Sequence, residues 1–202
     1  MKTTVIDYKA GNLTSVLKAL HHLGAETTVT DGDMSLVENA ERIVLPGVGH
    51  FAATERLDAT GLTQAIRAAI ARGVPFLGIC VGMQWLYAGS SEAPAQPGLG
   101  HFAESCTRFS ESPEKVPHVG WNSLEIRPNS RLLAGVEPGE HVYFTHSYKA
   151  PVTDDTAAVT YYIENFASAV ELDNVMGVQF HPEKSGATGL KILKNFLEWE
   201  GN

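Results

Sequence analysis

Apolar residues in the first half of the chain follow two alternating spacings. Short runs rich in β-branched residues are typical of buried strands and cover residues 3–6, 26–30, 42–45 and 74–79. Between them, apolar residues recur at helical spacing, first at Leu13, Val16, Leu17 and Leu20 and later at Leu62, Ile66, Ala69 and Ile70. Gly24 and Gly73 follow these two patterns and are expected to end the helices. Strands that alternate with helices predict a parallel sheet with helices on both faces.

The second half of the chain has a different pattern. A loop rich in proline and glycine over residues 90–100 is followed by short strand-like pieces, separated by turn residues, at residues 104–109, 123–126, 141–147, 158–163, 167–172 and 175–180. These pieces predict antiparallel hairpins added to the sheet. A final helix is indicated by the apolar face of Leu190, Leu193, Phe196 and Leu197.

Composition and charge exclude several functional classes. The 202 residues are 44% hydrophobic and 19% charged, which suffices for a sizeable core. The net charge of −8, without any basic run, argues against binding to nucleic acid or to an anionic membrane. We expect neither a signal peptide nor a transmembrane helix, because no apolar stretch reaches about 18 residues. Two cysteines do not make a disulfide framework, so we expect a cytoplasmic protein.

Cys80 is the first candidate for chemistry, because it stands where an apolar strand ends and a helical pattern over residues 82–88 begins. Gly78 and Gly82 flank it in the small-x-nucleophile-x-small pattern of a nucleophile elbow. Such a turn places the thiol at a helix N-terminus, which favours the thiolate, and directs the N–H of Val81 at a substrate oxyanion. An ordinary buried cysteine is the alternative interpretation. Cys106 lacks such neighbours and is assigned no role.

A base and its orienting group follow the last predicted strand, in the sequence FHPE. His181 ends the strand pattern, and Glu183 lies two residues further on, after Pro182. In an extended segment these two side chains project to one side. Glu183 could then hold one ring nitrogen of His181 while the other nitrogen faces Cys80. A purely structural histidine is the alternative.

A glycine-rich loop, PGVGHF, follows the third predicted strand. Gly47 and Gly49 leave backbone N–H groups open to a substrate, although a plain glycine turn explains the pattern equally well. Because the peptide between these glycines can rotate easily, we hypothesise that its N–H is oriented towards the site only when a partner docks.

Together, PGVGHF, GICVGMQ and FHPE resemble the motifs of class I glutamine amidotransferases, the Cys-His-Glu glutaminases, and the resemblance covers essentially the whole chain. It implies a flavodoxin-like, mostly parallel sheet in a single domain over residues 1–202, and glutamine hydrolysis without a cofactor or metal ion. The implied catalytic residues are Cys80, His181 and Glu183, and the implied oxyanion donors are Val48, Gly49 and Val81. Glutamine itself would contact Gly49, Gln84, Glu92, His146, Ser147 and Tyr148.

Three further stretches, IDYKAGNLTSV, PHVGWN and YFTHSY, resemble the glutaminase subunits of imidazole glycerol phosphate synthase, from histidine biosynthesis. Lys9 and Ala10 depart mildly from that pattern. The resemblance implies a heterodimer in which ammonia passes through a channel to a cyclase subunit, a (β/α)₈ barrel. Trp121 in a polar loop would suit an interface anchor, although a core position is equally plausible. The implied docking face comprises Asn12, Pro117, Val119, Trp121 and Tyr143.

Four functions remain open from the sequence. The chain could be a glutaminase of the histidine pathway, a glutaminase that serves a different synthase, a cysteine hydrolase of another substrate, or a binding module that has lost activity. The intact Cys80, His181 and Glu183 argue against the last of these. A phosphate loop of the GxxxxGK[ST] type is absent from the sequence, which fits a subunit that does not handle nucleotides.

Overall fold

The computed structural model describes residues 1–10 and 13–199 of the chain. The strands are β1 (Lys2–Ile6), β2 (Glu26–Thr30), β3 (Ile43–Gly47), β4 (Phe76–Cys80), β5 (Gly89–Ser90), β6 (Ser105–Arg108), β7 (His118–Ser123), β8 (Glu125–Ile126), β9 (His141–His146), β10 (Tyr148–Lys149), β11 (Thr156–Tyr162), β12 (Glu164–Leu172) and β13 (Val175–Val178). The helices are α1 (Leu13–His22), α2 (Met34–Glu38), α3 (Glu55–Ala59), α4 (Leu62–Ala71), α5 (Val81–Gln84) and α6 (Gly186–Glu198), with 3₁₀ helices at Phe51–Thr54 and Pro182–Lys184. None of the helices described here is long and apolar enough to cross a membrane.

An eight-stranded sheet, in the order β2-β1-β3-β4-β13-β12-β11-β8, forms the centre of the fold. Neighbouring strands are parallel from β2 to β13 and antiparallel from β13 to β8. The remaining strands pair in two small sheets, β10-β6-β5 and β7-β9. The predicted α/β class, with a mostly parallel sheet and added antiparallel strands, is therefore confirmed.

The predicted strands of the first half lie within two residues of the observed ones, and β2 has the predicted bounds. The prediction missed α2, α3 and the 3₁₀ helix at Phe51–Thr54, because elements this short hold too few residues to show a helical period. Two strand-like pieces in the second half, now β6 and β9, pair in the small sheets and not in the central one.

The helix after Cys80 is shorter than predicted. The pattern predicts a helix over residues 82–88, whereas α5 is a single turn. The helix ends early because the carbonyl oxygens of Trp85, Leu86 and Tyr87 accept hydrogen bonds from N–H groups of the loop Leu99–Phe102 and not from a following helical turn. These three side chains are fully buried, so their apolar pattern reflects burial on all sides and not one face of a helix.

The strand order brings the candidate residues to one edge of the sheet. All five residues of β4 are buried, and β4 pairs in parallel with β3 on one side and β13 on the other. Gly47, at the end of β3, is in register with Cys80, at the end of β4. His181 follows β13 by three residues. The loops after three adjacent parallel strands therefore meet at the carboxyl edge, where ligands bind in open α/β sheets.

Candidate active site

Cys80 sits on a strained turn between β4 and α5. Its backbone angles are φ 56° and ψ −109°, which a non-glycine residue adopts only when its surroundings enforce them. A Cβ on Gly78 would lie 2.5 Å from the carbonyl oxygen of Gly82, and a Cβ on Gly82 would overlap the carbonyl oxygen of Leu45 in β3. Both glycines are therefore required for the turn to pack against the sheet, as the elbow pattern predicts.

His181 and Glu183 form a buried pair next to Cys80. The Nδ1 atom of His181 donates to Oε1 of Glu183 at 2.9 Å, and the two side chains are 1% and 3% exposed. The two side chains are in contact, as the sequence predicts. The backbone conformation differs from the predicted one, because Glu183 lies on the 3₁₀ helix Pro182–Lys184 and not in an extended segment. The Nε2 atom of His181 is buried and has no hydrogen-bond partner among the described residues, so it is free to exchange a proton with the thiol.

The pKa of His181 is raised to about 9. Burial alone would lower the pKa, but the neighbouring Cys80 and the Glu183 carboxylate favour the charged ring and outweigh burial. The pair is therefore suited to nucleophilic attack followed by protonation of a leaving group.

Backbone N–H groups around Cys80 differ in their availability. Val81 is the first residue of α5, so its N–H has no partner within the helix. The N–H of Val48, in contrast, donates to the carbonyl oxygen of Ala10 at 3.0 Å and so is not directed at the thiol. Gly49 has a φ of 112°, and the space where a side chain would project is open. The N–H of Val81 is thus available to a ligand, whereas that of Val48 would have to leave Ala10 before it could serve an oxyanion.

A cavity of about 230 Å³ opens in front of the thiol. Its lining contains Cys80 and Val81, and it also includes every residue that the resemblance assigns to glutamine: Gly49, Gln84, Glu92, His146, Ser147 and Tyr148. Pro117, which is predicted on the docking face, lines this cavity as well. Residues from five separate stretches of the chain thus converge on one pocket beside the nucleophile.

Hydrogen bonds hold two residues of the cavity wall. Oε2 of Glu92 accepts from the N–H of Phe51 at 2.8 Å and thereby ties the loop after β5 to the loop after β3. The carbonyl oxygen of Tyr148 accepts from Nε2 of Gln84 at 2.9 Å. Because a carbonyl can only accept, the amide nitrogen of Gln84 must face Tyr148.

His146 and His118 form a buried neutral pair behind the cavity. Nδ1 of His146 donates to the carbonyl oxygen of Tyr148 at 2.8 Å, so its Nε2 is the acceptor for Nδ1 of His118 at 3.1 Å. Burial lowers the pKa of His146 to about 3 and that of His118 to about 4. Both rings therefore remain uncharged at neutral pH, and His146 presents no charge to the cavity.

The predictions from sequence missed two buried polar residues at this site, His118 and Gln179. His118 lies within the PHVGWN motif, of which the resemblance places only Pro117, Val119 and Trp121 in a role, on the docking face. Gln179 stands between Val178 and Phe180 in an otherwise apolar strand pattern. A lone amide in a buried run needs a polar partner, and that requirement is the signal that could have identified it.

The predicted docking residues lie mainly on the β7-β9 ladder. Trp121 and Val119 are 55% and 57% exposed. Trp121 lies in strand β7, so the expectation that it lies in a loop was wrong. Tyr143 is the cross-strand partner of Trp121, with ring centroids 6.1 Å apart. Asn12 lies outside the described residues. Pro117, Val119 and Trp121 are exposed and Tyr143 is half-buried, and together they form an aromatic and apolar patch beside the site.

The family model described as glutamine amidotransferase class-I matches residues 4–199, so fold and site define a protein of that class. The imidazole glycerol phosphate synthase subunit HisH of Aquifex aeolicus is 44% identical over 97% of this chain and 96% of its own. The HisH subunit of Deinococcus radiodurans is 47% identical over 95% of this chain and 91% of its own. The chain therefore belongs to the HisH subunit family of the class I glutamine amidotransferases.

A solved structure of a glutamine amidotransferase shares the fold, with a TM-score of 0.76 and 20% identity over 97% of both chains. At that identity the likeness concerns the arrangement of the backbone alone.

Proposed function

We propose that this chain hydrolyses glutamine to glutamate and ammonia, as the glutaminase subunit of an imidazole glycerol phosphate synthase in histidine biosynthesis. The observation that carries the proposal is the arrangement of Cys80 on a strained elbow next to the buried pair of His181 and Glu183. A glutaminase that serves a different synthase would use the same arrangement. The HisH relatives favour the histidine pathway over that alternative.

The reaction proceeds in two steps. The thiolate of Cys80 attacks the side-chain amide carbon of glutamine, and protonated His181 supplies the proton with which ammonia leaves. His181 then removes a proton from water, which attacks the glutamyl thioester and releases glutamate. Glu183 stabilises the charged ring in both steps through its contact with Nδ1. The N–H of Val81, and those of Val48 and Gly49 after rearrangement, would stabilise each oxyanion.

The cavity lining offers complementary groups for glutamine. The carboxylate of Glu92 suits the α-ammonium group of the substrate. The side-chain nitrogen of Gln84 is not available to glutamine, because Nε2 already donates to Tyr148 and Gln179. Its oxygen therefore remains the group that can accept a hydrogen bond from the substrate. Neutral His146 adds no positive charge that would repel the ammonium group.

The ammonia is proposed to pass to a cyclase subunit of (β/α)₈-barrel type in a heterodimer. Val119 and Trp121 support this docking face, because two large exposed apolar side chains on one short ladder are typical of interaction sites. The face is also attached to the catalytic residues. The N–H of His181 donates to the carbonyl of Tyr143, and the Ser185 hydroxyl donates to the carbonyl of His181 while it accepts from the N–H of Tyr143.

Replacing Cys80 by alanine tests the proposal. In the complex with a candidate cyclase, Cys80→Ala should lower glutamate release by about 10³-fold or more, because it removes the nucleophile. Product formation from added ammonia should persist, since that chemistry takes place in the partner. Cys106→Ala serves as the control and should retain glutamate release. Glutamate release that survives in Cys80→Ala would refute the mechanism.

A further inference from the structure

Gln179 contacts the proposed nucleophile but is none of the three proposed catalytic residues. Its side chain is completely buried, directly after β13 and two residues before His181. The Nε2 atom of Gln179 lies 3.6 Å from Sγ of Cys80, within the range of an N–H···S hydrogen bond. The nucleophile therefore has a second neighbour besides His181, from the same stretch of chain.

The surrounding hydrogen bonds determine which end of the Gln179 amide faces the sulfur. Nε2 of Gln84 must point at the Tyr148 carbonyl, which can only accept, and its second hydrogen is donated to Oε1 of Gln179 at 3.0 Å. The oxygen of Gln179 is thus occupied by a donor. The nitrogen, with its hydrogens, is left facing Cys80.

A backbone group anchors this orientation from behind. The Tyr148 carbonyl also accepts from Nδ1 of His146, so its direction is defined by a second donor at 2.8 Å. If the side-chain amide of Gln179 were rotated by 180°, its nitrogen would face Nε2 of Gln84 and its oxygen would face Sγ of Cys80. Both hydrogen bonds of Gln179 would then be lost. The series from Tyr148 through Gln84 to Gln179 therefore holds one N–H group aimed at the nucleophile.

We infer that Gln179 is a catalytic hydrogen-bond donor that stabilises the thiolate of Cys80. This role rests on the proposed nucleophile. A hydrogen bond to a charged acceptor is stronger than one to a neutral acceptor, so the N–H of Gln179 favours the thiolate over the thiol. When water later cleaves the thioester, the C–S bond breaks and its electron pair returns to sulfur. The same N–H then stabilises the departing thiolate.

The inference is tested by the pH dependence of Cys80 alkylation in the full chain. Wild type, Gln179→Met and Gln179→Leu react with iodoacetamide across a pH series, and peptide mass mapping separates Cys80 from the buried Cys106. Both replacements remove the donor but differ in shape. We expect the reaction midpoint to rise in both by roughly one pH unit, a tenfold loss of thiolate at a given pH. Gln96→Leu, which removes a loop amide, should leave the midpoint unchanged.

An unchanged midpoint in folded Gln179→Met would overturn the inference, because a merely structural glutamine would alter stability without altering the thiol. If both variants fail to fold, the inference is tested by the NMR resonance of the Gln179 side-chain amide in the wild type. The chemical shift of this resonance should change over the pH range in which the Cys80 reaction has its midpoint. A chemical shift that does not change with pH would refute the contact. Neither measurement requires glutamine turnover, so the inference can fail while the proposed function stands.

Discussion

The clearest contrast at the residue scale is between two buried histidines with opposite behaviour. Burial disfavours the charged form of both His146 and His181. At His146 burial prevails, because the hydrogen bond to the Tyr148 carbonyl offsets it only in part, and the pKa falls to about 3. His181 meets the Glu183 carboxylate and Cys80, so its pKa rises to about 9. The neighbours of each ring, and not its depth, therefore decide which histidine can serve as an acid or a base.

Glu183→Gln should lower the pKa of His181 and reduce glutamate release by about 10²- to 10⁴-fold. The variant keeps the size of the side chain but removes the charge that stabilises the imidazolium. NMR titration of the ring gives the pKa, and a glutamate assay gives the rate. Glu198→Gln, at an exposed carboxylate paired with Lys194, is the matched control. A His181 titration that is the same in Glu183→Gln and wild type would contradict the assigned cause.

The same shift predicts how stability depends on pH. The folded-state pKa of His181, about 9, lies above the ordinary histidine value of 6.5 expected for the unfolded chain. Its contribution is therefore fully present below about pH 6.5 and is lost as the pH rises through about 9. Urea unfolding between these limits should show this loss in the wild type and a smaller loss in Glu183→Gln.

Residues marked by a local sequence pattern could be predicted from the sequence, and residues without such a pattern could not. Cys80, His181 and Glu183 could be predicted because glycines and a strand end mark their positions. Gln179 and His118 were missed because no neighbouring residues mark their roles, which depend on partners distant in sequence. Only the fold brings Gln84 within 3.0 Å of Gln179.

At the element scale, the site depends on how closely α5 approaches the sheet. Gly82 lies against the backbone of β3, and Gly78 lies against the backbone of the first turn of α5. Because backbone atoms cannot rotate out of the way, a side chain at either position would push the helix and the sheet apart. The two glycines therefore control the position of the thiol relative to His181.

Gly82→Ala should destabilise the fold by about 2–3 kcal/mol and strongly reduce glutamate release, because the added Cβ overlaps the Leu45 carbonyl. Urea unfolding measures the first effect. Gly32→Ala is the control, since its Cβ would only make an ordinary contact of 3.7 Å with Thr60, and its stability should change by less than about 0.5 kcal/mol. Equal stability losses in the two variants would contradict this account of the elbow.

Element lengths were predictable where the apolar pattern reflected local structure. β2 was recovered because a run of β-branched residues defines it, and the start of α4 because two helical periods of apolar residues define it. The helix after Cys80 was predicted too long, because its apolar residues are buried by the loop Leu99–Phe102, which the local pattern cannot reveal. The α/β class was thus accessible, while the lengths of elements under non-local contacts were not.

On the scale of the whole molecule, strand order explains why distant stretches form one site. Placing β13 beside β4 moves His181 from the end of the chain to the elbow. The separate β7-β9 sheet carries the exposed Trp121, whose cross-strand partner is Tyr143. The carbonyl oxygen of Tyr143 accepts a hydrogen bond from the N–H of His181. Strand order and sheet membership follow from long-range pairing and could not be deduced from alternation alone. The proposed docking face and the triad are therefore connected through the fold.

The most direct test of the central claim follows the amide nitrogen of glutamine through the complex with the cyclase. Glutamine labelled with ¹⁵N in its side-chain amide is supplied together with excess unlabelled ammonium, and the nitrogen of the product is analysed by mass spectrometry. The account predicts labelled product from the wild-type complex and unlabelled product from Cys80→Ala. Unlabelled product from the wild-type complex, or labelled product from Cys80→Ala, would contradict it.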